Sequence, residues 1–291
     1  YYFFVARNGD GIETAAGPVV PQDVAVSLTN LTQIYDGTAR EAVAVTDPAG
    51  LAVAFTYDGN PWAPTNAGSY AVTGTVVDVN YRGSATGTLV VAQRELTISG
   101  LTGNSKIYDG TTDATAAGTA ELDGVVSPDD VTLAGTPAFA FEQATIGTGL
   151  EIAVSGYVLD GTAAGNYFLT QPTLSADITA KELTVAGADA DGKIYDGTTD
   201  ATISGATLVG VVDGDDVSLD NLVGTFAQAD VGTGIAVTSG LTLAGIDAGN
   251  YTLTQPINLS SDIDAKELTT TGAVADDKTY DGTTDATISG A

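Results

Sequence analysis

The sequence predicts an all-β chain, built as a tandem array of small immunoglobulin-like β-sandwich domains in an extended rod. Three observations carry this reading. The stretch Lys193-Ile194-Tyr195-Asp196-Gly197-Thr198-Thr199-Asp200-Ala201-Thr202 recurs letter for letter from Lys106, and again from Lys278 with Thr279 for isoleucine. The copies start 87 and 85 residues apart, the length of a small domain. Short runs that alternate apolar and polar residues lie between turn residues, and 36 glycines punctuate them. Helical periodicity does not persist beyond a turn. A helix-bearing alternative, β-grasp-like units, keeps the repeats but covers one sheet with a helix.

In chain order, residues 1–20 read as the C-terminal hairpin of an upstream domain. An aromatic strand, an Asn-Gly-Asp-Gly turn and a second strand resemble the last two strands of a fibronectin type III-like domain. Pro18 and Pro21 stiffen the linker that follows. The first complete unit is 21–93, with Val24, Val26 and Leu28 alternating and turns at Asp58-Gly59 and Asn80 to Gly83. The second unit is 94–180, with runs at 96–98, 131–133, 138–141, 150–158, 167–169 and 174–178. The third is 181–265, with matching runs at 183–185, 217–219, 235–237, 241–243, 251–253 and 257–263. Residues 266–291 begin a further repeat. A basic residue followed by Glu-Leu-Thr marks each start, at Arg94, Lys181 and Lys266.

Composition narrows function. Nine basic against 37 acidic residues give a net charge of −28, which repels phosphate backbones and anionic lipid, so neither nucleic acid nor membrane insertion is expected. Apolar residues make up 43% of the chain, which argues for folded units over a charge-swollen coil. Cysteine, histidine and methionine are absent. Disulfides, zinc sites and most nucleophile–base pairs drop out with them. With no methionine to begin on, the chain reads as a segment of a longer, secreted protein. No catalysis is expected.

The Tyr-Asp-Gly-Thr-Thr repeats keep step with Gly165-Asn166-Tyr167 and Gly249-Asn250-Tyr251. Together they resemble the YDG repeat domains of bacterial extracellular hemagglutinin-like adhesins. The first unit is similar to the related MBG domain, through Tyr35-Asp36-Gly37, Tyr57-Asp58-Gly59 and Asn66-Ala67-Gly68-Ser69-Tyr70. It departs at Gln33, where later copies carry lysine. The resemblance spans Val24 to Ala291. It implies an extracellular or cell-surface stalk segment of a large adhesin or surface fibre, and it brings no catalytic residue. Two alternatives stand beside the stalk: a protomer of a self-assembling filament, and a carbohydrate- or mucin-binding module. The expected partners are neighbouring domains, copies of the chain in a fibre, and host or matrix glycans reached through other domains.

Four sets of residues are candidates for sites. The repeated motif comprises Tyr35, Asp36, Gly37, Tyr108, Asp109, Gly110, Tyr195, Asp196, Gly197, Tyr280, Asp281 and Gly282, with Asn166, Tyr167, Asn250 and Tyr251 as its partners. Glycine permits positive φ and aspartate bonds its own backbone, so Asp-Gly is a turn. The motif tyrosines are expected on the core side with their hydroxyls tied to backbone, as in a tyrosine corner, and Tyr108, Tyr167, Tyr195 and Tyr251 are expected to be largely buried. All five lysines fall at two repeat-fixed positions, which means either repeated ion pairs or lysine–asparagine crosslinks, Lys106 with Asn166 and Lys193 with Asn250. The pair Asp129-Asp130 and, above all, Asp189, Asp191, Asp213, Asp215 and Asp216 are the acidic residues that could hold calcium; no other cofactor is expected. Trp62, in the loop Asn60-Pro61-Trp62-Ala63-Pro64, is the aromatic a glycan would use.

Overall fold

The computed structural model describes residues 5–7, 13–15 and 20–290. These residues form short strands with no α-helix, and two 3-10 turns at Ala164–Asn166 and Ala248–Asn250 are their helical elements. The chain is therefore all-β, and the helix that β-grasp units require is not among the described residues. No helix there is long and apolar enough to cross a membrane. At the start, Val5–Arg7 pairs antiparallel with Glu13–Ala15, the expected hairpin in outline. The turn between those strands and the aromatic run before them lie outside the described residues.

Two compact units divide the chain, and they cut across the sequence repeats. One comprises Tyr1–Asn104, Asp113–Glu142 and Glu151–Ala176; the other comprises Ser105–Thr112, Gln143–Leu150 and Asp177–Ala291.

In the first unit, Thr32–Ile34, Ser84–Ala92, Gly68–Val76 and Val53–Tyr57 form a sheet in that order. Ala25–Thr29 pairs with Val43–Asp47, and Gln22–Asp23 runs parallel to Tyr81–Arg82. The strand Arg94–Gly103 alternates as its sequence demands, with Leu96 and Ile98 inside and Glu95 and Thr97 outside. Its first half pairs in parallel with Tyr167–Leu169 and its second half antiparallel with Ala116–Asp123. The register shifts between Ser99 and Leu101, where Gly100 has φ +80° and a Cβ would lie 2.2 Å from the Thr119 carbonyl oxygen. Only glycine fits that bulge. The buried core joins Tyr35, Tyr57, Val72, Leu89 and Val91 to Leu96 and Tyr167. Residues of two successive repeats thus share one apolar cluster.

In the second unit, Lys181–Ala186 lies between Thr207–Val209 and Tyr251–Leu253. A six-stranded sheet runs in the order Asp189–Ala190, Asp200–Ser204, Val223–Phe226, Gly232–Ser239, Leu259–Asp264, Lys193–Ile194. Ala190, Ile203, Phe226, Ile235, Val237, Leu259 and Ile263 fill its core. Two of the three Tyr-Asp-Gly motifs of this unit follow a two-residue strand parallel to the last strand of their repeat: Lys106 faces Ile178, and Lys193 faces Ile263. The pairing continues to the tyrosine itself, where Tyr108 N–H donates to Thr179 and Tyr195 N–H to Asp264, each at 2.8 Å. This parallel docking brings the turn to the end of the repeat, beside the start of the next.

Candidate functional site

The turn itself is built as the sequence demands. The Asp109 carboxylate accepts the Thr111 backbone N–H at 2.9 Å and its hydroxyl at 2.8 Å, and Asp196 holds Thr198 in the same way. Lys106 Nζ lies 2.8 Å from Asp109 Oδ1, and Lys193 Nζ 2.9 Å from Asp196. Each ammonium also donates to the threonine carbonyl and hydroxyl of its turn. The Lys193 bond, with the Thr198 N–H beside it, draws the Asp196 carboxyl down to about 2. In the first repeat, where Gln33 replaces lysine, Arg40 reaches back to Asp36 at 2.5 Å, so the cation survives from a different sequence position.

Lys106, Lys193 and Lys278 therefore form ion pairs, one of the two expected alternatives, each with the aspartate of its own turn. The crosslink expectation is corrected: Lys193 is engaged with Asp196 and Thr198, while Asn250 Oδ1 accepts the Ile146 N–H at 3.2 Å. Asn166 is engaged likewise, its Oδ1 accepting the Ala67 N–H at 2.8 Å. Both asparagines are buried by the 3-10 turns that carry them, and their amides bind backbone from the preceding repeat.

The tyrosines reach forward. Tyr35 donates its hydroxyl to Asp129 Oδ2 at 2.7 Å, and Tyr167 donates to the same oxygen at 2.5 Å. Tyr108 and Tyr251 converge on Asp215 Oδ2 in the same way, at 2.9 and 2.5 Å. Each ring pair meets edge to face with centroids 5.3 Å apart, a favoured aromatic geometry. The hydroxyls of Tyr167 and Tyr251 also accept a backbone N–H, from Val126 and Val212, at 3.0 Å. The backbone tie expected of the motif tyrosines is thus found on their Gly-Asn-Tyr partners instead. For Tyr35 and Tyr108 the expectation is corrected, since their hydroxyls leave their own repeat for a carboxylate of the next.

Glycine completes the fit. Gly37 has φ +82° and Gly110 φ +78°, and a Cβ on them would come within 2.9 Å of Val126 and 3.0 Å of Val212. A Cβ at Gly197, with the same φ, meets nothing within 4 Å. Gly110→Ala should therefore cost about 1–2 kcal/mol for the left-handed backbone plus a packing penalty. Gly197→Ala should show the backbone cost alone, and paired urea melts of the two variants check the difference.

Two other expectations are corrected. Tyr195 is 39% exposed and Tyr280 94%, against 5% for Tyr108 and 4% for Tyr35. Among the described residues no three acidic side chains gather as a cation site needs. Asp215 faces two tyrosines, Asp191 accepts the Ser204 hydroxyl, and Asp189, Asp213 and Asp216 lie at the surface. Asp129, legible in the sequence only as half of the acidic pair Asp129-Asp130, turns out to be a tyrosine acceptor, and nothing in the sequence marked the valines Val126 and Val212. The usable signal was phase: Asp129 and Asp215 stand 86 residues apart, within the repeat period.

Burial first, and then the bond to Asp129, push the Tyr35 hydroxyl up to about 12. Burial and Asp215 do the same for Tyr108 and Tyr251. An unfolded tyrosine ionises near about 10, so folding favours the protonated hydroxyl. That stabilisation is fully present below about pH 10 and is lost as pH rises towards about 12, because the unfolded chain then binds fewer protons than the folded one. Urea midpoints should hold steady up to about pH 9.5 and fall steeply above it, and Tyr108→Phe should flatten the fall.

Trp62 is 81% exposed, at the rim of a hollow of about 340 Å³ with Tyr70, Asp58, Asn60 and Asn66. Comparison with known families places this geometry. Residues 24–95 match the family model of the MBG domain, and residues 92–174 and 179–258 each match that of the YDG domain. The two YDG matches together cover more than half of the chain. A comparison with curated proteins gives no match.

Proposed function

The chain belongs to the YDG domain family, with an MBG domain ahead of its YDG repeats, and on that premise we propose that it is a structural spacer in a large extracellular bacterial adhesin or surface fibre, without catalysis of its own. One observation carries this reading. In the first two repeats the motif tyrosine leaves its own repeat and donates to a carboxylate of the next, Tyr35 to Asp129 and Tyr108 to Asp215. A motif kept for binding ligand would present those groups to solvent. The charge of −28 suits the role, since like-charged stalks repel one another at low salt.

Deleting residues 94–180 tests it. The cut joins Gln93 to Lys181 and offers Tyr35 the Asp215–Tyr251 site in place of Asp129–Tyr167. On cells displaying the chain, an epitope ahead of residue 20 should move closer to the surface while the shortened chain stays folded. An unchanged epitope distance, with loss of adhesion, would sink the spacer reading.

A second reading rests on Trp62. An exposed indole beside Tyr70 and the side chains of Asp58, Asn60 and Asn66 is a combination that stacks on sugar rings and bonds their hydroxyls. Glycan-array binding that disappears in Trp62→Ala would make the MBG domain a carbohydrate-binding module.

A further inference from the structure

We propose that the face of the third repeat carrying Tyr195 is a docking surface for a further YDG unit of the same chain, which seats an aspartate carboxylate and a Gly-Asn-Tyr turn against it. The inference rests on repeat geometry and stands whether or not the array is a spacer. Four positions, three in the third repeat and one at the start of the next, compare this junction with the two before it, and all four point the same way.

The motif tyrosine is buried at Tyr35 and Tyr108 but open at Tyr195. The motif glycine is pressed by Val126 at Gly37 and by Val212 at Gly110, and Gly197 faces open space. The leucine of the basic-Glu-Leu-Thr start is 0% exposed at Leu96 and at Leu183, and 88% exposed at Leu268. The backbone N–H of Ala67 is held by Asn166 and that of Ile146 by Asn250. Val231 occupies the matching place, as Phe226-Ala-Gln-Ala-Asp-Val231-Gly-Thr-Gly aligns with Phe141-Glu-Gln-Ala-Thr-Ile146-Gly-Thr-Gly.

These unmet groups are neighbours. Tyr195, Val231, Ala265 and Leu268 line one hollow of about 540 Å³ with Asp230 and Lys266. Its occupant must bring an acceptor for the tyrosine hydroxyl, an amide oxygen for the Val231 N–H and an apolar cover for Leu268. The Asp-Asp and Gly-Asn-Tyr segments of a YDG unit bring all three, as the earlier junctions demonstrate. A second copy of this chain is a poor donor, because its Asp129 and Asp215 are already engaged by Tyr35 and Tyr108.

The test extends the full chain. Residues 281–291 are identical to 196–206, so a second copy of residues 207–265 appended after Ala291 completes a fourth repeat in register. In the extended chain the Val231 amide should exchange at least about tenfold more slowly, as for a newly buried hydrogen bond. Nitration of Tyr195 by tetranitromethane should fall by a similar factor. Replacing the appended copies of Asp215 and Asn250 by alanine should restore both rates, with circular dichroism reporting that the extension keeps its strands. Equal exchange and equal nitration in the extended and original chains would overturn the proposal. So would an extension that stays unfolded, since Lys266 onward already supplies its opening strand sequence. Sedimentation of the original chain should give a monomer. Self-association abolished by Tyr195→Ala would overturn the same-chain assignment and make the occupant a second copy.

Discussion

Tyr108→Ala should destabilise the second compact unit by about 3–5 kcal/mol, while Tyr195→Ala should cost under about 1 kcal/mol. Both tyrosines stand in the same ten-residue sequence, so neither local propensity nor the turn can separate them. The difference arises from what each ring meets. Tyr108 is 5% exposed, packs edge to face on Tyr251 and donates to Asp215. Tyr195 is 39% exposed and keeps only its backbone bond to Asp264 among the described contacts. Urea unfolding of each variant, followed by tyrosine fluorescence, gives the two midpoints. Equal losses would mean that the Tyr108 junction contributes little and that the turn alone carries the motif.

The second large effect is expected at Asp215. Its Oδ2 accepts hydrogen bonds from the hydroxyls of both Tyr108 and Tyr251. Asp215→Ala leaves two buried donors without an acceptor, at about 1–3 kcal/mol each, so a loss of about 2–5 kcal/mol is expected. Asp215→Asn keeps an acceptor oxygen and should recover a good part of it. Asp213→Ala, two residues away and exposed, should change the midpoint by less than about 0.5 kcal/mol. A loss at Asp213 as large as at Asp215 would mean that general acidity, and not the tyrosine clamp, stabilises this region.

Much of the array was legible in the sequence because its signals are local. Alternating apolar residues located the strands around Leu96, Leu183, Ile235 and Tyr251, and Asp-Gly with a threonine two residues on announced the Asp109 and Asp196 turns. Lysine three residues before aspartate was equally readable as an ion pair. The destination of the tyrosine side chains was not legible. A period-2 pattern says that a ring leaves the solvent face, but not which repeat it enters. For the same reason Tyr195 was expected in a core: its sequence is that of Tyr108, and the covering unit is encoded some hundred residues away. The acidic pairs misled for a related reason. Carboxylates that accept tyrosine hydroxyls and carboxylates that bind calcium look alike until the third dimension places their partners.

The parallel strand pairs have a mechanical consequence. In the third repeat the opening strand Lys181–Ala186 runs alongside Tyr251–Leu253, and Lys193–Ile194 runs alongside the closing strand Leu259–Asp264. Tension applied between Lys181 and Asp264 pulls the members of each pair in opposite directions along their length. Their hydrogen bonds are then loaded in shear, so that they must yield together, whereas an antiparallel hairpin pulled at its open end unzips one bond at a time. The same residues that fix the sheet order thereby make each repeat resist stretching along the line of the chain.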